Sequence, residues 1–265
     1  MIATRNGTNI YWTETGRGDP LLLIMGLGAT HEWWSRVTEI VASRFRTILL
    51  DNRGVGQSDV PPGPYSISDM AADAAAVLDA AGVESAHVFG ASMGGMIAQE
   101  LALQYPARVR SLILGCTACG GRDAVPARRE VLDALAARAT MTREEAMRVM
   151  VPYIFDASTP RERVEEDLAL RLRTTVTNEG FFAQLQAIRS WSGTLARLGN
   201  LAVPTLVIHG ETDELVPATN AGILARAIPN ASLVMLPRAS HIFFTDQTEA
   251  ATEAILSFLG ACAPV

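Results

Sequence analysis

Residues 88–95, V-F-G-A-S-M-G-G, constrain this chain more than any other stretch, because they must turn an apolar strand into a helix and leave Ser92 at the corner. Val88 and Phe89 close an apolar run that begins near Ser85, and 96–105 reads as a helix closed by Pro106. Gly90, Gly94 and Gly95 lack a β-carbon, so strand and helix can meet at a sharp angle around the serine. Such a turn lifts Oγ clear of its own backbone. It also places the N–H of Met93 at a helix start, facing any oxygen that becomes negative. Taken alone, the stretch is open to a second reading, a glycine turn with a purely structural job.

Around that corner, strands and helices alternate. Arg5-Asn6-Gly7 is a hairpin turn between a short first strand and 8–15, whose alternation suits an antiparallel entry to a sheet. Residues 21–25 are apolar on both faces, as a buried parallel strand requires, and 26–30 follow as a loop. A helix over 32–45 carries Trp33 and Trp34. The next strand, 47–50, ends in D-N-R-G-V-G-Q-S-D, an architectural turn, since neither a helix start nor a lysine follows its glycines. A helix over 66–81 opens with the capping pair Ser66 and Asp69 and stops at Gly82. Another buried strand covers 110–114.

The alternation then halts. Helical patterns over 127–139, 142–155, 161–175 and 179–190 come with no strand, so 122–196 is expected as a helical lid inserted over the sheet, with its methionines and aromatics forming ordinary core. The rhythm returns with a strand over 205–209, a helix opened by Pro217 and ending near Ile228, a strand over 232–236 and a terminal helix over 246–259. The fold class expected is α/β: a mostly parallel sheet of about eight strands flanked by helices, built from 1–121 and 197–265.

Composition narrows the chemistry. With 265 residues, the chain can bury the core of one large domain. A net charge of −6 without any basic block argues against nucleic acid or an anionic membrane surface as partner. All 22 basic residues are arginines, which excludes a Walker A lysine, a Schiff base and a Ser-Lys dyad. The N-terminus M-I-A-T-R-N-G has no charged segment followed by an apolar one, and no run of roughly 18 apolar residues occurs, so a cytoplasmic protein is expected. Cys116 and Cys119 form C-x-x-C, yet no second ligand pair accompanies them and Gly120-Gly121 follows, so they read as packing residues. Neither a cofactor nor a metal is expected, and monomer or homo-oligomer stays open.

Ligands of such sheets collect beyond the carboxyl ends of the strands, and four loops leave strands there: 26–30, 90–94, 210–216 and 238–241. A serine hydroxyl needs a base to take its proton during attack, and His241 is the candidate. A buried carboxylate must hold that imidazole in one tautomer; Asp213 is the candidate, with Glu211 and Glu214 as rivals. Trp33, Trp34, Val216 and Phe243 lie on or beside these loops as candidate substrate contacts. His31 is placed near the pocket mouth, His209 reads as a satisfied core residue and His87 as a cap at a strand start.

The order Ser92, Asp213, His241 with D-N-R-G-V-G-Q-S, G-A-S-M-G-G, G-E-T-D-E-L-V-P and the final S-H resembles the α/β-hydrolases over nearly the whole chain. S-M-G-G-M-I-A-Q and the lid length are similar to the 3-oxoadipate enol-lactonases and related small-molecule esterases. Met25-Gly26 stands where most relatives have His-Gly, a variant that resembles the polyketide methylesterases and implies a more apolar pocket. The resemblance implies a cofactor-independent serine hydrolase of a small carboxylic ester or lactone, with the N–H groups of Leu27 and Met93 as oxyanion hole. A C–C hydrolase of vinylogous diketones, an acyltransferase or perhydrolase with the same triad, and a catalytically idle binding protein are the alternatives.

Overall fold

A computed structural model describes residues 1–262, so the last three residues of the 197–265 segment lie outside the described residues. Eight strands make one sheet: β1 (Ile2–Arg5), β2 (Thr8–Thr15), β3 (Asp19–Ile24), β4 (Phe45–Leu50), β5 (Ala86–Ala91), β6 (Val109–Gly115), β7 (Thr205–Gly210) and β8 (Ala231–Leu236). Their spatial order is β1-β2-β4-β3-β5-β6-β7-β8, antiparallel for β1 with β2 and for β2 with β4, and parallel for the rest. The β1–β2 hairpin turns on Asn6 and Gly7, both at positive φ (49° and 78°), as a tight turn of matching twist demands. Every residue of β5 and β7 is buried, because helices cover both faces of the parallel part.

Helices α1 (Ser35–Val41), α2 (Ile67–Ala80) and α3 (Met93–Gln104) connect the first six strands. Between β6 and β7 the chain forms α4 (Arg129–Ala137), α5 (Arg143–Arg148), α6 (Val151–Ile154), α7 (Arg161–Arg173) and α8 (Asn178–Ser190), with no strand. The chain then adds α9 (Thr219–Ala227), α10 (Phe243–Asp246) and α11 (Thr248–Ala261). Alternation along β3 splits the core in two: Leu22 and Ile24 pack with α2, α3 and α9, and Leu21 and Leu23 with α1 and α11. No helix of the described residues is long and apolar enough to cross a membrane.

The Ser66 cap is present, with its hydroxyl accepting from Asp69 N–H at 2.9 Å. Other element bounds differ from the sequence reading for local reasons. The helix expected over 32–45 is a 3₁₀ turn, His31–Trp34, followed by α1, because Phe45 is drawn into the β3–β4 ladder opposite Asp19. The helix expected over 142–155 breaks into α5 and α6 around Pro152, whose ring cannot continue a helix begun four residues earlier. Pro217 precedes α9 instead of opening it; its carbonyl accepts from the backbone and side-chain N–H groups of Asn220 at 2.9 and 3.0 Å.

Candidate active site

The carboxyl ends of β3, β5, β7 and β8 and the helices between β6 and β7 enclose a cavity of about 590 Å³. Ser92 stands at the end of β5 with φ 57° and ψ −122°, a conformation that a side chain adopts only when the surroundings enforce it. The enforcement is visible at Gly94, where a β-carbon would lie 2.0 Å from the Ile24 carbonyl oxygen. Strand β3 and the start of α3 are therefore in backbone contact, and Met93 N–H heads the helix beside the serine. Leu27 lies on the loop after β3, and Gly26 approaches so closely that a β-carbon there would sit 2.9 Å from Ser92 Cβ. Among the described residues, neither Leu27 N–H nor Met93 N–H is engaged in a backbone or side-chain hydrogen bond.

His241 follows β8, and its Nδ1 lies 2.8 Å from Asp213 Oδ2. Asp213 is sealed from solvent, while His241 lines the cavity together with Ser92. The hydrogen bonds among the described residues do not include one between Ser92 Oγ and His241; the two side chains share the cavity wall instead, an arrangement that commonly tightens only around bound substrate. The loops carrying Asp213 and His241 are stitched to each other, since Thr212 N–H donates to Ala239 O at 2.9 Å. Burial works to raise the Asp213 pKa, but His241 and His209 outweigh it and hold the carboxyl below its ordinary value. Asp213 is thus a buried anion aimed at the imidazole, whereas Glu214 pairs with Arg128 at 2.6 Å and Glu211 is exposed.

Of the candidate substrate contacts, Trp33 and Val216 line the cavity. Trp34 and Phe243 do not. Trp34 is fully buried, with ring centroids of Phe89 and Phe244 at 4.7 and 5.5 Å, because consecutive residues of a 3₁₀ turn point in different directions and the second one faces the sheet. Phe243 likewise points down onto Gly115, and its neighbour Phe244 takes the cavity position. His31 is held by Asp51, Nδ1 to Oδ1 at 2.8 Å, away from the cavity lining. His87 sits inside β5, bonded to Ser111 Oγ at 2.8 Å, not at a strand start as a cap.

Several residues that contact this site carry no motif. Gln184 of α8 is fully buried and spans two loops: its Oε1 accepts from Gly28 N–H at 2.8 Å and its Nε2 donates to Arg53 O at 2.7 Å. His209 shares Asp213 Oδ2 with His241, its Nε2 lying 3.1 Å from that oxygen, and donates to Val216 O at 2.8 Å. A spacing of four residues from a strand end into a loop carries no such signal in the sequence. Arg138, Arg143 and Arg171 also line the cavity. Cys116 lines it too, but burial, with Asp213 nearby, pushes its thiol well above the ordinary range and leaves it protonated and inert.

A family profile described as alpha/beta hydrolase fold matches residues 19–248. Carbamate hydrolase RutD of Azorhizobium caulinodans, itself a provisional assignment, is 33% identical over 256 residues, covering 95% of each chain. The poly(3-hydroxyalkanoate) depolymerase of Ectopseudomonas oleovorans is 32% identical over 243 residues, covering 91% of this chain and 84% of that relative. Among solved structures, the enol-lactonase from Burkholderia xenovorans LB400 superposes with a TM-score of 0.87 at 26% identity, over 98% of this chain and 100% of the other.

Proposed function

The chain belongs to the alpha/beta hydrolase fold family, and on that footing we propose that it hydrolyses a small carboxylic ester or lactone through an acyl-enzyme on Ser92. The observation that carries this reading is the gathering of Ser92, the His241–Asp213 pair and the N–H groups of Leu27 and Met93 at one largely apolar cavity. Ser92 Oγ attacks the carbonyl carbon while His241 Nε2 accepts the hydroxyl proton. Asp213 accepts from His241 Nδ1–H and compensates the imidazolium that forms. The oxygen of the tetrahedral intermediate gains a full charge facing Leu27 and Met93, and one such donor contributes about 3 to 4 kcal/mol to the transition state. Collapse expels the alkoxide, which takes the proton from His241. Water, deprotonated in turn by His241, attacks the acyl carbon; Ser92 leaves with a proton and the acid is released.

In this reading the helices of 122–196 act as the lid that keeps bulk water from the acyl-enzyme. Gln184 would fix the loop bearing the Leu27 donor by holding its neighbour, Gly28. The chemistry named for the Burkholderia relative, an enol lactone, fits the same route. The test is labelling with a fluorophosphonate probe, followed by mass analysis of the modified peptide. Attachment at Ser92, absent from folded Ser92→Ala, is expected; full esterase activity in that variant would end the proposal.

A further inference from the structure

The Leu27 N–H belongs to the Gly26–Leu27 peptide unit, and that unit is poorly held by its own hydrogen bonding. A peptide unit is planar, so the direction of its N–H is fixed once its C=O is. Among the described residues the one hydrogen bond to this C=O, on Gly26, comes from Ala29 N–H at 3.3 Å. Gly26 has no β-carbon to resist rotation of the unit, and Gly28 beyond it stands at φ 64°. The two flanking units are held instead, each by a buried amide from outside the loop. On the near side, Met25 O accepts from Asn52 Nδ2 at 2.8 Å. On the far side, Gly28 N–H donates to Gln184 Oε1 at 2.8 Å. Both amides are shut off from solvent.

The two holds converge on one turn. Gln184 Nε2 donates at 2.7 Å to the carbonyl of Arg53, the residue after Asn52. Arg53 is itself fixed by a two-pronged pair with Asp73 of α2, at 2.6 and 2.8 Å. Asp51, the residue before Asn52, accepts from His31 N–H at 2.8 Å. Asp51, Asn52 and Arg53 therefore hold the end, the start and, through Gln184, the middle of residues 25–31. The turn after β4, which reads as architectural in the sequence, sets the geometry of a donor it does not touch.

We propose that Asn52 and Gln184 are paired positioning residues for the reaction: by holding the peptide units on either side, they keep Leu27 N–H aimed at the oxygen of the tetrahedral intermediate. The proposal rests on the hydrolase reading above. Neither side chain lines the cavity, so their effect travels through Leu27 and falls on the transition state, where that oxygen is charged, and not on ground-state binding. With one hold removed the other still limits rotation of the unit. With both removed nothing does, so the joint loss exceeds the product of the separate ones.

The test uses 4-nitrophenyl hexanoate as substrate and 1,1,1-trifluoroheptan-2-one, of the same acyl length, as inhibitor. Ser92 Oγ bonds to the ketone carbon, the hydroxyl proton passes to His241, and the ketone oxygen becomes an anion at the place of the intermediate's. Asn52→Leu and Gln184→Met each remove the hydrogen bonds at similar volume. Each should lower kcat about five- to tenfold with KM little changed, and weaken the inhibitor by the same factor. The double variant should lose on the order of 10³ in both, the worth of a whole donor. Asn52→Ala and Gln184→Ala give the same reading if a first choice does not fold. A lowered thermal midpoint with kcat per folded molecule and inhibitor affinity as in wild type, a loss confined to KM, or a double variant that only multiplies the single losses overturns the proposal. Ser92→Ala separates the two failures: continued ester turnover in that variant sinks the hydrolase reading itself, whereas a silent Ser92→Ala beside unmoved inhibitor affinity in the other variants sinks the positioning role alone.

Discussion

The two walls of the cavity are held by different forces. On the sheet side, backbone meets backbone: β3 against the start of α3, and the loop after β7 against the loop after β8, with Ser92 fixed at φ 57°. On the helical side, apart from the close backbone approach of residues 175–180 to residues 54–56, the helices are joined by side chains and by surface pairs such as Arg148 with Glu144 and Glu165, and Leu132 and Phe182 line the cavity while remaining exposed. Backbone contacts of this closeness leave no room for substitution, whereas side-chain packing does. The contrast implies that the reacting geometry belongs to the fold, while recognition belongs to residues that can be exchanged without unfolding it.

The largest expected effect follows from that division. Ser92→Ala should cost roughly 10⁴ to 10⁶ in kcat, the scale seen when a nucleophile is removed from a unit of this kind, with the thermal midpoint little changed. Phe182→Ala on the opposite wall should alter KM by less than about tenfold. Steady-state kinetics on both variants would break the contrast if the two losses were comparable.

Stability should divide along the same line. Gly94→Ala forces a methyl group to within 2.0 Å of the Ile24 carbonyl oxygen and 2.8 Å of the Met25 one, neither of which can swing aside. A cost of about 3 kcal/mol is expected in urea unfolding. Leu132→Ala, at a position 43% exposed, should stay within about 0.5 kcal/mol. Equal shifts would mean that the sheet-side contacts are softer than their closeness implies.

The same division explains what could be read in advance. Glycines, alternation and turn residues are local, so the succession of strands and helices along the chain, a count of about eight strands and the corner at Ser92 were legible in the sequence. Of the three acids before Pro217, Asp213 is the one bonded to His241, with Val216 N–H on its other oxygen. Side-chain direction was not legible. Trp33 and Trp34 are adjacent, as are Phe243 and Phe244, and only packing between distant segments decides which of each pair meets the cavity. Gln184 and the three arginines depend on how α4, α5, α7 and α8 pack together, which no spacing encodes. Pro152 stands at the start of α6, inside a pattern that is otherwise helical on both sides.

Asp246 joins the two regions and gives a pH handle on them. It accepts from Ser240 N–H at 2.7 Å, next to His241, and from Asp156 N–H at 3.2 Å and Thr159 Oγ1 at 2.6 Å, at the end of α6 and beyond. Burial raises its pKa from 3.8 to about 6 despite those donors. The folded protein therefore binds this proton more tightly than the unfolded chain, and stability falls as pH rises from about 4 to about 6, then levels off. The loss amounts to about 2 to 3 kcal/mol. Asp246→Asn keeps an oxygen for the two backbone donors and places an amide near Thr159. Urea midpoints from pH 4.5 to 8 should show the variant gaining on the wild type as pH rises; parallel curves would remove Asp246 from this role.

A smaller loss of activity than that of Ser92→Ala is expected at His209, which reads as core from its strand but touches Asp213. Its ring is fully buried, Nε2 donates to Val216 O, and the same nitrogen lies 3.1 Å from Asp213 Oδ2. Asp213 Oδ1 in turn accepts from Val216 N–H at 2.8 Å, while His209 and His241 share Oδ2, so both carboxylate oxygens are held. Removing the His209 nitrogen takes one of the two contacts from Oδ2 and leaves the carboxylate to His241 and Val216 N–H. His209→Leu should lower kcat about tenfold with KM unchanged, within the range of one hydrogen bond to a charged group, and His209→Gln should recover part of it. A loss of packing alone would lower the thermal midpoint and leave kcat per folded molecule intact; that result would return His209 to the structural role its strand suggests and confine the reacting geometry to the loops.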